Sequence, residues 1–174
     1  HSGLRYRHNL PQIAFLKAHM KIDVTDLKIL NELQRNGKLT NAELSERVNL
    51  SPSPCLKRVK RLENSGLIRD YVALLNPVPL GLDLNVFIFI SLKAQSRSLL
   101  TEFETQMASH AEVMECYLMT GDEDYLLRVA VKDISSLERF IVDKLSPMPE
   151  VQSIRSSIAL KQVRYKTALP IACR

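Results

Sequence analysis

The chain has 174 residues, 45% of them apolar and 25% charged, a balance that suits a soluble globular protein of one large or two small domains. Its longest near-apolar run, residues 86–90, is far short of the ~20 residues a spanning helix needs, and no secretory pattern is present. Three cysteines, Cys55, Cys116 and Cys173, have no paired spacing, which argues against a disulfide framework or a zinc site and for reduced thiols in the cytoplasm.

The net charge of +5 is unevenly spread. Residues 1–20 hold three basic groups and no acid, residues 21–76 hold ten basic and seven acidic groups, and residues 77–174 hold eleven and twelve. An anionic partner is therefore expected for the first half and a different task for the second. Residues 1–20 lack the periodicity of the rest of the chain and end in His19-Met20, the pair a common cloning junction leaves. They read as a cloning leader or tag, the alternative being a natural basic arm that touches DNA.

From residue 21 the pattern predicts three short capped helices. Asp23 is a cap with Asp26 three residues on, and Leu27, Ile29, Leu30 and Leu33 form an apolar stripe that Gly37 ends. Thr40-Asn41-Ala42-Glu43 is a capping box, and the helix behind it is expected to bury Ala42, Leu44 and Val48. Ser51-Pro52 starts the third helix, with Ser51 as cap and proline at the first helical position, and Gly66 terminates it.

At ~100° per residue, Cys55, Val59 and Leu62 share the core face of this third helix. Ser53, Lys57, Lys60 and Arg61 point roughly the other way, flanked by Pro54 and Arg58. Lys57-Arg58-Val59-Lys60-Arg61 holds four cations in five residues. A major groove admits one helix, so the groups that read bases and bind phosphates must lie on one exposed face. The candidate DNA-binding set is Ser51, Ser53, Pro54, Lys57, Arg58, Lys60 and Arg61. A solvated basic face on a structural helix is the plain alternative. The position of this run, on the third helix of a closely spaced trihelical unit behind a four-residue turn, favours DNA.

Residues 66–75 read as an extended segment leaving that unit, broken by Asn76-Pro77-Val78-Pro79 and Gly81, where a domain boundary is expected. The second half reads β-α-β-β-α-β. Leu84–Leu92 alternates Leu84, Val86, Ile88, Ile90 and Leu92 with Asn85, Phe87, Phe89 and Ser91. A helix comes next over 97–109, then strands at 113–119 and 125–131 around the turn Thr120-Gly121-Asp122-Glu123-Asp124. Ser135-x-x-Glu138 opens a helix that stops at Pro147, and a last strand runs over 154–163. Helices cover one face of such a sheet. Because Phe87 and Phe89 make the first strand apolar on both faces, a second copy of the chain is expected on the other.

Residues 21–171 resemble the Lrp/AsnC (leucine-responsive regulator, feast/famine) family. The matching stretches are Leu39-Thr40-Asn41-Ala42-Glu43-Leu44-Ser45, the run from Leu50 to Glu63, Tyr71-Val72-Ala73-Leu74-Leu75-Asn76-Pro77, and Thr120-Gly121-Asp122-Glu123-Asp124-Tyr125-Leu126-Leu127. The resemblance implies an α+β chain: a winged-helix-like helix-turn-helix of three helices at 21–66, an extended linker strand at 67–82, and a ferredoxin-like βαββαβ (ACT-like, RAM) domain at 83–171 for effector binding and oligomerisation. It also implies a sequence-specific transcriptional regulator that binds double-stranded DNA as a dimer or a ring of dimers, up to an octamer. Such a regulator senses a small amino acid, with leucine, methionine or a similar neutral one as the guess. By analogy the effector-binding residues are Leu118, Thr120, Gly121, Asp122, Asp124 and Tyr125. The Gly121 N–H would meet a carboxylate, Asp122 or Asp124 an ammonium, and Leu118 or Met119 an apolar side chain. Without the resemblance, the same turn reads as a backbone feature closed by glycine and aspartate.

No cofactor, metal or catalytic group is expected. Two alternatives stand beside the regulator. One is an effector-independent architectural DNA-binding protein. The other is an enzyme like the family's haem-precursor decarboxylating relatives, for which only His110 lies beyond residue 20 and no supporting constellation surrounds it.

Overall fold

The computed structural model describes residues 21–171. The expected leader at 1–20 and Cys173 lie outside the described residues. The chain divides into two compact units, the first comprising the described residues through Ala73 together with the segment from Tyr165, the second spanning Leu74–Arg164.

In the first unit, α1 (Val24–Arg35), α2 (Asn41–Arg47) and α3 (Pro52–Asn64) enclose a core of Ile29, Leu44, Val48, Cys55 and Leu62. Asp23 and Asp26 form a reciprocal capping box at the start of α1, and Thr40 and Glu43 form another at α2. Each satisfies N–H groups that the first helical turn leaves free. The expected stripe on α1 shifts by one position: Asp26 is fully buried while Leu27 is only half-buried. Asn36, one residue before the expected Gly37, caps the end of α1. On α2 Ala42 is exposed and Ser45 is buried in its place, its hydroxyl donating to the Ala42 carbonyl at 2.8 Å. Ser51 occupies the cap position of α3, but its side chain makes no capping hydrogen bond; with Pro52 at the first position there is one fewer N–H to satisfy. Asn49 forms the turn between α2 and α3 at φ 55°, a left-handed conformation that asparagine tolerates better than most residues. Gly66 lies just past α3 at φ 75°, where a side chain would be strained.

Between Ile68 and Leu84 the chain makes no strand. Tyr71, Val72, Leu74 and Leu75 are exposed and pair with no ladder, and a 3-10 turn at Val78–Leu80 interrupts the expected linker strand. Near the C-terminus the chain returns to the first unit. The Leu169 N–H donates to Gln34 Oε1 at 2.6 Å, and Gln34 Nε2 donates to the Leu169 carbonyl at 3.3 Å.

The second unit is a four-stranded antiparallel sheet in the order β2-β3-β1-β4, with β1 at Leu84–Leu92, β2 at Val113–Leu118, β3 at Tyr125–Val131 and β4 at Val151–Ile158. α4 (Arg97–Ser109) and α5 (Ile134–Arg139), the latter continued by a π turn at Phe140–Leu145, cover one face. Val86, Ile88, Ile90, Leu127 and Val129 from the sheet meet Phe103, Met107, Leu137 and Phe140 from the helices. Each such side chain contributes about 1.5–3 kcal/mol on burial. The other face carries Phe87, Phe89 and Leu126, all half-buried.

Two element boundaries in this unit differ from the sequence pattern. Asp133, not Ser135, caps α5, accepting from the Ser136 N–H at 2.7 Å; the helix therefore starts earlier than the Ser135-x-x-Glu138 pattern suggests. The last strand runs over Val151–Ile158 rather than 154–163. Its partner β1 sets both limits: Leu92 pairs with Val151 past a bulge, and the Ala159 N–H takes the last bond, to the Asn85 carbonyl.

Candidate DNA-binding face and effector turn

The third helix is bolted to the first by charge. Asp26, fully buried, accepts from Arg58 Nη1 at 2.8 Å and from Arg61 Nη2 at 2.5 Å. Arg58 Nη1 also reaches Asp23 at 2.6 Å. The Asp26 N–H and the Arg58 guanidinium hold the Asp23 carboxyl below its usual range, and the Asp23 and Asp26 carboxylates raise Arg58 in turn. Two of the four cations in the basic run are thus partly turned inward, a division invisible on a helical wheel. Lys57 and Lys60 are exposed and make no ion pair among the described residues. Ser51, Ser53 and Pro54 are exposed at the same end of α3, and the outward surface from Ser51 to Lys60 combines these with the two lysines and the 42% exposed Leu56. Asn41 Nδ2 donates to the Pro52 carbonyl at 2.9 Å and ties the start of α2 to the start of α3. Tyr71, though 45% exposed as a whole, leans back on α3 with its hydroxyl donating to Glu63 at 3.0 Å; partial withdrawal of that hydroxyl from water, and then Glu63, push its pKa up to about 12.

The acidic turn between β2 and β3 shows the same division. Asp124 accepts from the Leu92 N–H at 2.6 Å and from Gln95 Nε2 at 2.6 Å, closing the bulged end of β1. Its own N–H donates to the Ile90 carbonyl. Glu123 takes Arg155 at 2.6 Å, and the Arg155 guanidinium lies 4.2 Å from the Phe89 ring centroid. Asp122 and Thr120 are exposed. Gly121 adopts φ 126°, with open space where a Cβ would stand. Only glycine accepts that backbone readily.

Leu118 is 59% exposed at the end of β2. Tyr125 is elsewhere: it is fully buried among the helices, its ring 4.6 Å from that of Phe103 and its hydroxyl donating to Glu104 at 2.9 Å. Of the six expected effector residues, the fold therefore presents Leu118, Thr120, Gly121 and Asp122 outward, uses Asp124 as a strand cap and places Tyr125 in the core. The roles of Asp26 and Asp124 escape sequence reading because their partners lie 35 and 32 residues away.

His110, on which the enzyme alternative turns, caps the end of α4 and stands edge-on to Phe140 at 5.8 Å. Burial, and then the Lys144 charge, lower its pKa. No group of three or more histidine, cysteine or acidic side chains that could hold a metal is present among the described residues.

Comparison with known proteins finds a counterpart for each of the two units. A winged helix-turn-helix DNA-binding domain matches residues 22–69 and the Lrp/AsnC ligand binding domain matches residues 85–169. The leucine-responsive regulatory protein of Escherichia coli strain K12 is 41% identical over 153 residues, covering 88% of this chain and 93% of the relative. A transcriptional regulator from Neisseria meningitidis, solved as a complex with L-Met, is similar in structure with a TM-score of 0.82 and 43% identity over 86% of this chain and 97% of its own. An AsnC family transcriptional regulator from Agrobacterium tumefaciens gives a TM-score of 0.81 and 38% identity over 85% of this chain and 96% of its own.

Proposed function

The chain belongs to the Lrp/AsnC family of transcriptional regulators, and from that premise we propose that α3 reads the major groove of DNA while the turn after β2 binds a small neutral amino acid. The observation that carries the first part is the exposed pair Lys57 and Lys60, without an ion pair among the described residues, beside Ser51, Ser53 and Pro54 on the third helix of the unit. The N-terminal residues of such a helix reach base edges, and the lysines meet phosphates. Arg58 and Arg61 sit on the flank. Binding of a labelled duplex tests this: Lys57→Ala combined with Lys60→Ala should abolish most of the affinity at physiological salt. Wild-type affinity in that variant would sink the assignment.

The effector reading rests on the outward Thr120-Gly121-Asp122 backbone and the neighbouring exposed Leu118. Asp122 offers an exposed carboxylate to an ammonium, the Gly121 N–H an anchor for a carboxylate, and Leu118 an apolar wall. Methionine is the first ligand to try, because the Neisseria relative is a complex with L-Met. Leucine is the second, because the Escherichia relative is named for its response to it. The turn belongs to a different unit from α3, so the ligand acts on DNA binding indirectly, by preferring one arrangement of the helix-turn-helix units over another. In the rival reading, an architectural DNA-binding protein, no amino acid binds at millimolar concentration.

The working form is a dimer or a ring of dimers, acting on DNA in the cytoplasm. The half-buried Phe87 and Phe89 on the sheet face that carries no helix support this, since a second copy would bury them. Phe87→Asp should weaken association in sedimentation, because it would bury an unpaired charge. A wild type that sediments as a monomer at micromolar concentration would defeat the oligomer.

A further inference from the structure

We propose that Asp26 is a positioning residue for DNA recognition: its carboxylate holds Arg58 and Arg61 against α1 and so leaves Lys57 and Lys60 as the cations of α3 that meet phosphate. This division of labour within the basic run rests on the DNA-binding reading of α3.

Asp26 stands in the first turn of α1, fully buried. Its carboxylate takes the Asp23 N–H at 3.1 Å, Arg58 at 2.8 Å and Arg61 at 2.5 Å. A carboxylate withdrawn from water is tolerated only when paired and hydrogen-bonded in this way. Two arginines three positions apart on one helix, clasping a single acid on another, fix the rotation of α3 about its own axis. They also pin two long side chains that would otherwise sweep the groove surface. The charges balance: Asp23 and Asp26 face Arg58 and Arg61. The uncompensated positive field on the outward surface then comes from Lys57 and Lys60. Counterion release counts only cations that neutralise phosphate, at a slope of roughly −0.9 per contact. An arginine already neutralised by a carboxylate adds little to that slope.

The experiment measures log affinity for a labelled duplex against log salt, using the full chain. Lys57→Ala and Lys60→Ala should each flatten the slope by about 0.9. Arg61→Gln, which keeps a donor for Asp26, should leave the slope unchanged. Asp26→Asn still accepts a hydrogen bond but cancels no charge. It should release Arg61 toward phosphate, and Arg58 only in part because Asp23 still holds it, and steepen the slope by about 0.9 to 1.8. A purely structural role for Asp26 would lower affinity without steepening it. Should Asp26→Asn fail to fold, Asp23→Asn serves: its side chain is 46% exposed, it unlinks only Arg58 in part, and it should steepen the slope by up to about 0.9. Flattening by Arg61→Gln equal to that by Lys60→Ala, or no steepening in either aspartate variant that folds, overturns the proposal. If the lysine variants also leave the slope unchanged, the DNA-binding reading of α3 fails with it, a pattern distinct from failure of the division alone.

Discussion

The basic run on α3 and the acidic turn after β2 are opposite in charge and lie in different units, yet the fold sorts them alike. In each, some members of a like-charged run are tied to distant backbone or side chains, and others are exposed with no ion pair among the described residues. Arg58 and Arg61 are held by Asp23 and Asp26, while Lys57 and Lys60 are unpaired among the described residues. Asp124 caps the end of β1 and Glu123 pairs with Arg155, while Asp122 is exposed. A run of like charge close to a functional surface repels itself, and pairing part of it internally relieves that repulsion while fixing the geometry of the rest. The tied members should therefore report on stability and the free ones on binding.

Asp124 gives the largest separation between the two kinds. Asp124→Ala removes a charged acceptor from the Leu92 N–H and should cost about 1.5–3 kcal/mol, visible as a lower thermal midpoint. Asp122→Ala should stay within about 0.5 kcal/mol of wild type and instead lower amino-acid affinity, tenfold for each ~1.4 kcal/mol of lost ammonium pairing. Equal melting of the two variants would break the comparison.

A smaller effect comes from pH. Burial and Lys144 lower His110 below its ordinary value of 6.5, so the folded state binds that proton more weakly than the unfolded chain. The resulting stability is present above pH 6.5 and is lost as pH falls through the lowered value. Glu112, held low first by Lys144, and Glu115, held low first by Arg128, act in the same direction, but only from about their ordinary 4.5 downward. Denaturant titrations between pH 6.5 and about pH 5 thus isolate the histidine, and His110→Gln should flatten stability there. The smallest effect belongs to Gln34→Ala. Its bonds to Leu169 are exposed, and their loss should cost about 0.5 kcal/mol or less by chemical denaturation.

Local chemistry was legible in the sequence wherever the partner lay within a turn. The capping pairs Asp23–Asp26 and Thr40–Glu43, the proline at the head of α3 and the alternation of β1 all stand as the pattern predicts. Several of the failures share one cause: a long-range partner outweighs the local rule. Leu27 yields its place on the buried stripe to Asp26 because two arginines from α3 need that carboxylate. Family analogy places Tyr125 with the effector turn, but as the first residue of the strictly alternating β3 it points inward to Phe103 and Glu104. β4 starts earlier than its apolar pattern because pairing with β1, not its own hydrophobicity, sets its ends. The return of the C-terminal segment to Gln34 had no local signal at all.

Coupling of amino-acid binding in the second unit to DNA binding in the first is the central claim, and one titration tests it most directly. Affinity for a labelled DNA duplex would be followed as each of the twenty amino acids is added to wild type and to Asp122→Ala. Coupling predicts that a neutral amino acid, methionine or leucine first, shifts wild-type DNA affinity. It further predicts that Asp122→Ala binds DNA equally well without ligand but needs a higher concentration for the same shift. DNA affinity indifferent to all twenty at millimolar concentration would contradict it.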